Sequence, residues 1–224
     1  MISIFHIIVV SDLIGSVILF LISYFSLKAL RRTNIKIFLF FSLGFALLAA
    51  GRLSHSLVFT TLAVTRPAKI LITATSLIAS FITLFSEVVA YALIAIGYSR
   101  NIKSSTSTLR ISSISTIILL RQILIQAIGE IINVFLLIYI VFRAGTIYLT
   151  SKKGLSLITF LGFVLLLVSH LLKFISLLEL SESLFILSKF VYFAGLLFFL
   201  TMVIKVAITR CNPADPNYEY SRIF

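Results

Sequence analysis

The stretch Leu43-Gly44-Phe45-Ala46-Leu47-Leu48 recurs 118 residues later, without a gap, as Leu161-Gly162-Phe163-Val164-Leu165-Leu166. Both copies lie inside long apolar runs of a 224-residue chain that is 60% hydrophobic and only 12% charged. Its mean hydropathy is +1.18. A soluble domain averages about half apolar and about a quarter charged residues. These values exclude a soluble globular protein and predict an all-α, multi-pass helix bundle of the cell membrane, with the lipid bilayer as its solvent.

Charge and cysteine content narrow the functional classes. Lys and Arg total 19 against 7 Asp and Glu, for a formal net charge of +12. In a membrane protein such an excess is typical of basic cytoplasmic loops. A single cysteine, Cys211, excludes an internal disulfide and a cysteine-based metal cluster. Because motifs of the HExxH, P-loop, CxxC and nucleophile-elbow kinds are absent from the sequence, we expect no enzyme, no cofactor and no metal.

Hydropathy predicts the spans, since a bilayer core needs about 20 apolar residues per helix. Residues 1–10 lack a basic segment, so we expect no cleavable signal peptide. The apolar stretch 111–150 fits either one very long helix or two short ones. Clear spans are predicted at residues 7–27, 37–62, 70–98, 155–178 and 184–207.

The shift of 118 residues aligns polar residues as well as apolar ones. Asp12 falls on Glu130, and Arg52 falls on His170. Polar matches are stronger evidence than leucine identities, because each polar residue is costly in lipid. We therefore predict a duplicated three-helix unit, with one repeat at 1–100, a linker or crossing helix at 101–127, a second repeat at 128–210 and a short tail at 211–224.

Loop charges favour seven spans in a 3+1+3 arrangement of parallel repeats, with the N-terminus outside. This topology places Lys28, Arg31, Arg32, Lys36, Lys152 and Lys153 in the cytoplasm and Glu179 and Glu182 outside. The extra crossing would run from about residue 110 to 127, turn at Gly129, and carry Arg121 in the outer half of the membrane. The alternative is six spans as inverted 3+3 repeats with a linker helix that does not cross.

Several charged or polar residues fall within or near the predicted spans, and we treat them as candidate site residues. Depth along the helices predicts an ion pair of Asp12 with Arg52, and of Glu130 with His170 or Lys173. The repeat also aligns Glu87 with Lys205, both toward the cytoplasmic side. The candidates are Asp12, Arg52, His55, Glu87, Arg121, Glu130, His170, Lys173 and Lys205.

Two interpretations of these residues stay open. They can be ion pairs that hold helices together in lipid, or they can line a pathway. The basic groups outnumber the acids, which favours an anionic passenger, either a polyanion such as DNA or a small anion. His55 and His170 could be the two axial ligands of a b-type haem. A lone histidine in a membrane helix, however, more often makes a hydrogen bond to a neighbouring helix.

Four short stretches carry a resemblance to known proteins: 27–33, 43–48, 86–89 and 97–99. They resemble three-helix units of small archaeal membrane proteins over about the first hundred residues and, through the repeat, much of the second half. In size, charge and topology the chain is also similar to the polytopic subunit of the crenarchaeal DNA-import (Ced) system. That resemblance implies a channel or scaffold component without its own motor, working with small membrane subunits and a separate ATPase, with DNA as the passenger. The alternatives are a small-solute transporter and a membrane-embedded sensor or assembly subunit.

Overall fold

The computed structural model describes residues 4–65, 69–99, 120–179 and 181–208. These residues form α1 (Ile4–Thr33), α2 (Ile37–Thr65), α3 (Lys69–Ser99), α4 (Leu120–Ser151), α5 (Gly154–Glu179) and α6 (Glu182–Ile208). Each helix contains 25 to 27 residues that are apolar and long enough to cross a membrane. The prediction of an all-α, multi-pass membrane protein is confirmed at this level.

The described residues contain six helices, not the seven predicted. The turn predicted at Gly129 is wrong, because α4 runs through this residue without a break. Gly129 instead allows α4 to approach α3 closely: a Cβ there would lie 2.2 Å from Cδ1 of Leu84. Residues 120–127, predicted as the second half of the crossing, belong to α4, and residues 110–119 lie outside the described part of the chain.

Within each three-helix unit, consecutive helices run in opposite directions. In the first unit (α1–α3), the Ser23 hydroxyl near the end of α1 donates to the Ser42 carbonyl near the start of α2 at 2.9 Å. In the second unit (α4–α6), Tyr148 near the end of α4 stacks on Phe160 near the start of α5. Each unit is therefore an up-down-up bundle, as the three-helix repeat requires.

The two units meet through helices that run in the same direction. Asn133 of α4 donates to Glu87 of α3, and ten residues further along, Arg143 donates to the Tyr98 carbonyl, each at 3.3 Å. The six helices are arranged as a closed ring. Each helix packs against the next one in the sequence, and α6 packs against α1. The units are parallel, and the inverted 3+3 alternative does not describe these helices.

This arrangement gives the bundle two chemically different ends. At the acidic end, α1, α3, α4 and α6 begin and α2 and α5 finish, and Glu179 and Glu182 lie there. The other end, which we call the basic end, has no acidic residue in the described part of the chain. It carries Lys28, Arg31, Arg32, Lys36, Lys152, Lys153 and Lys205.

The turns at the basic end repeat in atomic detail. Asn34 and Lys152, which are 118 residues apart, both adopt positive φ, at 55° and 50°. The Asn34 amide donates to the Leu30 carbonyl, and the Lys152 amide donates to the Tyr148 carbonyl. A left-handed residue at this position is a common way to end an α-helix. The duplication therefore extends to the residue that ends the first helix of each unit.

An aromatic layer fills the bundle between its middle and the basic end. Phe163 and Phe199 are fully buried with ring centroids 4.5 Å apart, and Phe45 lies 5.3 Å from Phe199. Phe41 and Tyr98 complete the layer. Since Phe45 and Phe163 are 118 residues apart, both units contribute the same residue to this packed core.

Candidate functional site

Polar side chains from all six helices meet inside the bundle, between the aromatic layer and the acidic end. We call this group the polar cluster. Most of its members are buried, and the rest are half-buried. The polar cluster consists of Asp12, Arg52, His55, Glu87, Glu130, Asn133, His170, Lys173 and Lys189.

Asp12 of α1 is the acid at one side of the cluster. Its Oδ1 accepts from Arg52 Nη1 at 3.1 Å and from Lys189 Nζ at 2.9 Å. Its Oδ2 lies 2.8 Å from His55 Nδ1. Arg52 and His55 are three residues apart, which places both on one face of α2. The predicted Asp12–Arg52 ion pair is confirmed.

Glu130 of α4 is the equivalent acid in the second unit. Its Oε2 lies 2.7 Å from His170 Nδ1, and its Oε1 lies 2.5 Å from Lys173 Nζ. His170 and Lys173 repeat the three-residue spacing of Arg52 and His55 on the corresponding helix. The prediction of Glu130 with His170 or Lys173 is confirmed, and both partners are present.

Glu87 of α3 connects the two units. Its Oε1 accepts from Arg52 Nη2 at 3.1 Å within the first unit. Its Oε2 accepts from Asn133 Nδ2 at 3.3 Å and lies 3.8 Å from Lys173 Nζ in the second unit. Glu87 is therefore the acid through which the two halves of the cluster make contact.

The predicted equivalence of Glu87 and Lys205 is wrong. Glu87 lies in the polar cluster, whereas Lys205 is exposed near the end of α6, at the basic end. The constant shift fails because the second hairpin is shorter. Gly44 packs against Ala90, 46 residues away, while Gly162 packs against Gly195, only 33 residues away. In α6, the residue equivalent to an α3 position therefore comes 13 residues earlier than the 118-residue shift predicts.

Two tyrosines, Tyr91 and Tyr192, also contact the cluster. The Tyr91 hydroxyl lies 2.9 Å from His170 Nε2. The Arg52 guanidinium carbon lies 4.0 Å over the Tyr192 ring, a cation–π contact. Each contact crosses from one unit to the other, so pairs of residues within one hairpin could not predict them. The available signal is that a tyrosine buried in an apolar helix needs a partner for its hydroxyl group.

The charges of the cluster balance. Three acids face Arg52, Lys173 and Lys189, and each of these bases contacts at least one acid. The excess of basic groups expected from the sequence is therefore not found in this cluster. Lys205 lies elsewhere, and the side chain of Arg121 on α4 is outside the described part of the structure.

A cavity of about 280 Å³ adjoins the cluster. Seven of the nine cluster residues line it, all except Asn133 and His170. Its other lining residues continue toward the acidic end: they are Phe59, Ser80, Thr83, Leu84, Gln126, Leu177 and Phe185. The arrangement provides a small chamber lined by ionisable groups of the cluster and, toward the acidic end, by the rings of Phe59 and Phe185.

Some residues of the polar cluster are of the types that bind metal ions or haem. Glu87, Glu130 and His170 offer ligand atoms that lie within 4.8 Å of one another. The Lys173 ammonium already contacts both carboxylates, so a divalent cation would have to displace it. His170 is held on both ring nitrogens, by Glu130 and Tyr91, and His55 is held by Asp12. These residues fit ion pairing better than ligation.

Comparison of the chain with family models, with curated proteins and with solved structures found no match.

Proposed function

We propose that the protein is a membrane transporter whose polar cluster binds a small polar solute. The observation that carries this proposal is the chamber lined by seven ionisable cluster residues inside an apolar helix bundle. Ionisable groups are expensive at such a depth, and in membrane proteins they mark pathways for ions and substrates. A volume of about 280 Å³ suits a small molecule.

The aromatic layer supports a transport role because it separates the chamber from the basic end. Phe41, Phe45, Phe163, Phe199 and Tyr98 pack together between the cluster and that end. A transporter must be closed on one side while its site is reached from the other. Parallel repeats related by an axis along the membrane normal are also an arrangement that several transporter families use.

We propose further that the basic end is cytoplasmic, so the chamber faces outward. The basic end carries seven Lys and Arg residues and, in the described part of the chain, no acidic residue, which supports this orientation. A seventh membrane crossing, between α3 and α4, is part of the same proposal. α3 finishes at the basic end and α4 begins at the acidic end, so the chain passes from one end to the other between Ser99 and Leu120.

DNA import stays a prediction from the sequence. The charge argument for it is weaker than expected, because the described cluster pairs its bases with acids. A chamber of this size, within one chain, also suits a small solute better than a nucleic-acid strand. The small membrane subunits and the separate ATPase belong to the same hypothesis and stay predictions with it.

The test is solute uptake into liposomes that contain the purified protein. We would use a panel of radiolabelled pyruvate, glycine, glucose and phosphate, with empty liposomes as the reference. Arg52→Gln should abolish uptake of any transported solute, while Lys153→Met, at the basic end, should leave it unchanged. No uptake of any solute by protein that is folded and correctly inserted would reject the transport proposal.

A further inference from the structure

We infer that the solute is a small monocarboxylate anion, which binds in the chamber together with one proton carried by His55. This inference rests on the proposed transport function and names its substrate class. It follows from which polar atoms of the chamber already have partners, and from the charge balance of the site.

The carboxylates of the chamber have partners on every oxygen. Both oxygens of Asp12 accept from basic groups, and both oxygens of Glu87 and of Glu130 contact basic or amide nitrogens. The ammonium groups differ, because each has three N–H bonds to donate. Lys189 contacts one carboxylate, and Lys173 contacts two. The spare polar capacity of the chamber is therefore mainly that of donors, which suits an acceptor such as a carboxylate.

The charge balance then requires a proton. Three acids and three bases give the site no formal net charge when its histidines are neutral. An anion added to this balance would leave an uncompensated negative charge in a low-dielectric bundle, which is costly. Histidine is the side chain that gains or loses charge near neutral pH. One protonated histidine restores electroneutrality.

The structure favours His55 over His170 for this role. His55 lines the chamber, with 15% of its side chain exposed, and Nδ1 is held by Asp12. His170 is 2% exposed and is held on both nitrogens. The charged groups around His55 are Asp12 of α1, Arg52 on its own helix, Glu87 of α3 and Lys189 of α6, which shares Asp12.

The apolar part of the chamber favours an organic anion over an inorganic one. Phe59, Leu177 and Phe185 line the chamber toward the acidic end. A methyl or short alkyl group can contact these side chains while the carboxylate meets Lys173 and Lys189. Phosphate would leave this surface without an apolar partner.

The first experiment measures proton uptake when pyruvate binds to the full-length wild-type protein in weakly buffered detergent solution at pH 7.5. We expect about one proton taken up per pyruvate bound. Saturable pyruvate binding without proton uptake would overturn the coupling. Absence of pyruvate binding would overturn the substrate class.

The second experiment compares wild-type protein with His55→Gln in liposomes, because glutamine can still donate to Asp12. Because pyruvate would then bind without a compensating proton, the variant should lose at least tenfold of both pyruvate–pyruvate exchange and the net uptake driven by an inward proton gradient, whereas Lys153→Met should keep both. Unchanged gradient-driven uptake would overturn the role of His55. If the variant does not fold, the wild-type proton measurement still decides.

Failure of the inference and failure of the proposed function give different results. Uptake of glucose or glycine without pyruvate would support transport and reject the monocarboxylate. Saturable pyruvate binding with proton uptake, but no flux of any solute, would support the ligand class and reject the transport function.

Discussion

Asp12 and Glu130 occupy equivalent positions in the two units, and each contacts two basic side chains three residues apart on the following helix. The basic residues differ: the first acid has an arginine and a histidine, and the second has a histidine and a lysine. The two units share the pattern of charges but not the side chains, because an acid buried among apolar helices needs more than one donor. The difference in side chains leaves His55 nearer the chamber and His170 enclosed.

Removal of the Arg52 side chain should destabilise the protein, because Arg52 is the partner of Glu87 Oε1. Arg52→Leu leaves that oxygen without its donor, so we expect a loss of about 3 kcal/mol in the free energy of unfolding. Glu87→Gln in the same chain should recover part of the loss. A double-mutant cycle in detergent measures the coupling, and strictly additive losses would contradict an energetic link between the two residues.

The left-handed turn residue of the second unit offers a stabilising substitution. Lys152 has φ 50°, a conformation that asparagine adopts more readily than lysine. Lys152→Asn should therefore stabilise the protein by up to about 1 kcal/mol and raise the Tm by about 2 °C. Lys153→Asn is the matched control, since it removes the same charge without relieving backbone strain. Equal changes in Tm for both variants would mean that charge, not φ, determines the effect.

The sequence predicts α1, α2, α5 and the part of α4 after Gly129 well, because these segments obey one constant shift. The pairs around Asp12 and Glu130 follow from that shift together with depth along each helix. Prediction of α4 fails at Gly129, since a glycine in an apolar run can serve either a turn or a close helix contact. Gly129 serves a close helix contact, because the side chain of Leu84 on α3 packs against it. The sequence of α4 alone does not contain this neighbour.

The spans of α3 and α6 were predicted, but the correspondence between positions in these two helices was not, for a different reason. A hairpin shorter by 13 residues moves the equivalent of each α3 position to a new number in α6. Lys189 therefore reaches Asp12, while Lys205 lies at the basic end. The contacts of Tyr91 and Tyr192 cross between units and depend on how the ring of helices closes.

Gly51 should be intolerant of any side chain. A Cβ at this position would lie 2.7 Å from the Ser86 Cβ, so α2 and α3 would have to separate. Because Arg52 and Glu87 follow these two residues directly, the separation would also lengthen their ion pair. We expect Gly51→Ala to cost about 1–3 kcal/mol in the free energy of unfolding.

The control for this substitution is Gly154→Ala, because a Cβ at Gly154 has no neighbour within 4 Å. Its free energy of unfolding should change by less than about 0.5 kcal/mol. Thermal unfolding in detergent compares the two variants. Equal destabilisation would show that loss of glycine in a helix, rather than the contact with Ser86, is responsible.

The parallel arrangement of the units makes a sharp prediction about membrane sidedness. Thr33 and Ser151 are 118 residues apart, and both lie at the basic end, whereas Ser183 lies at the acidic end. Single cysteines at these positions, in a Cys211→Ser background, can be tested with a membrane-impermeant thiol reagent on intact cells. We expect labelling at residue 183 only, because the basic end should face the cytoplasm. The reverse pattern, with 33 and 151 labelled and 183 protected, would keep the units parallel but invert the orientation and turn the chamber toward the cytoplasm. Labelling of only one of residues 33 and 151 would contradict the parallel arrangement itself.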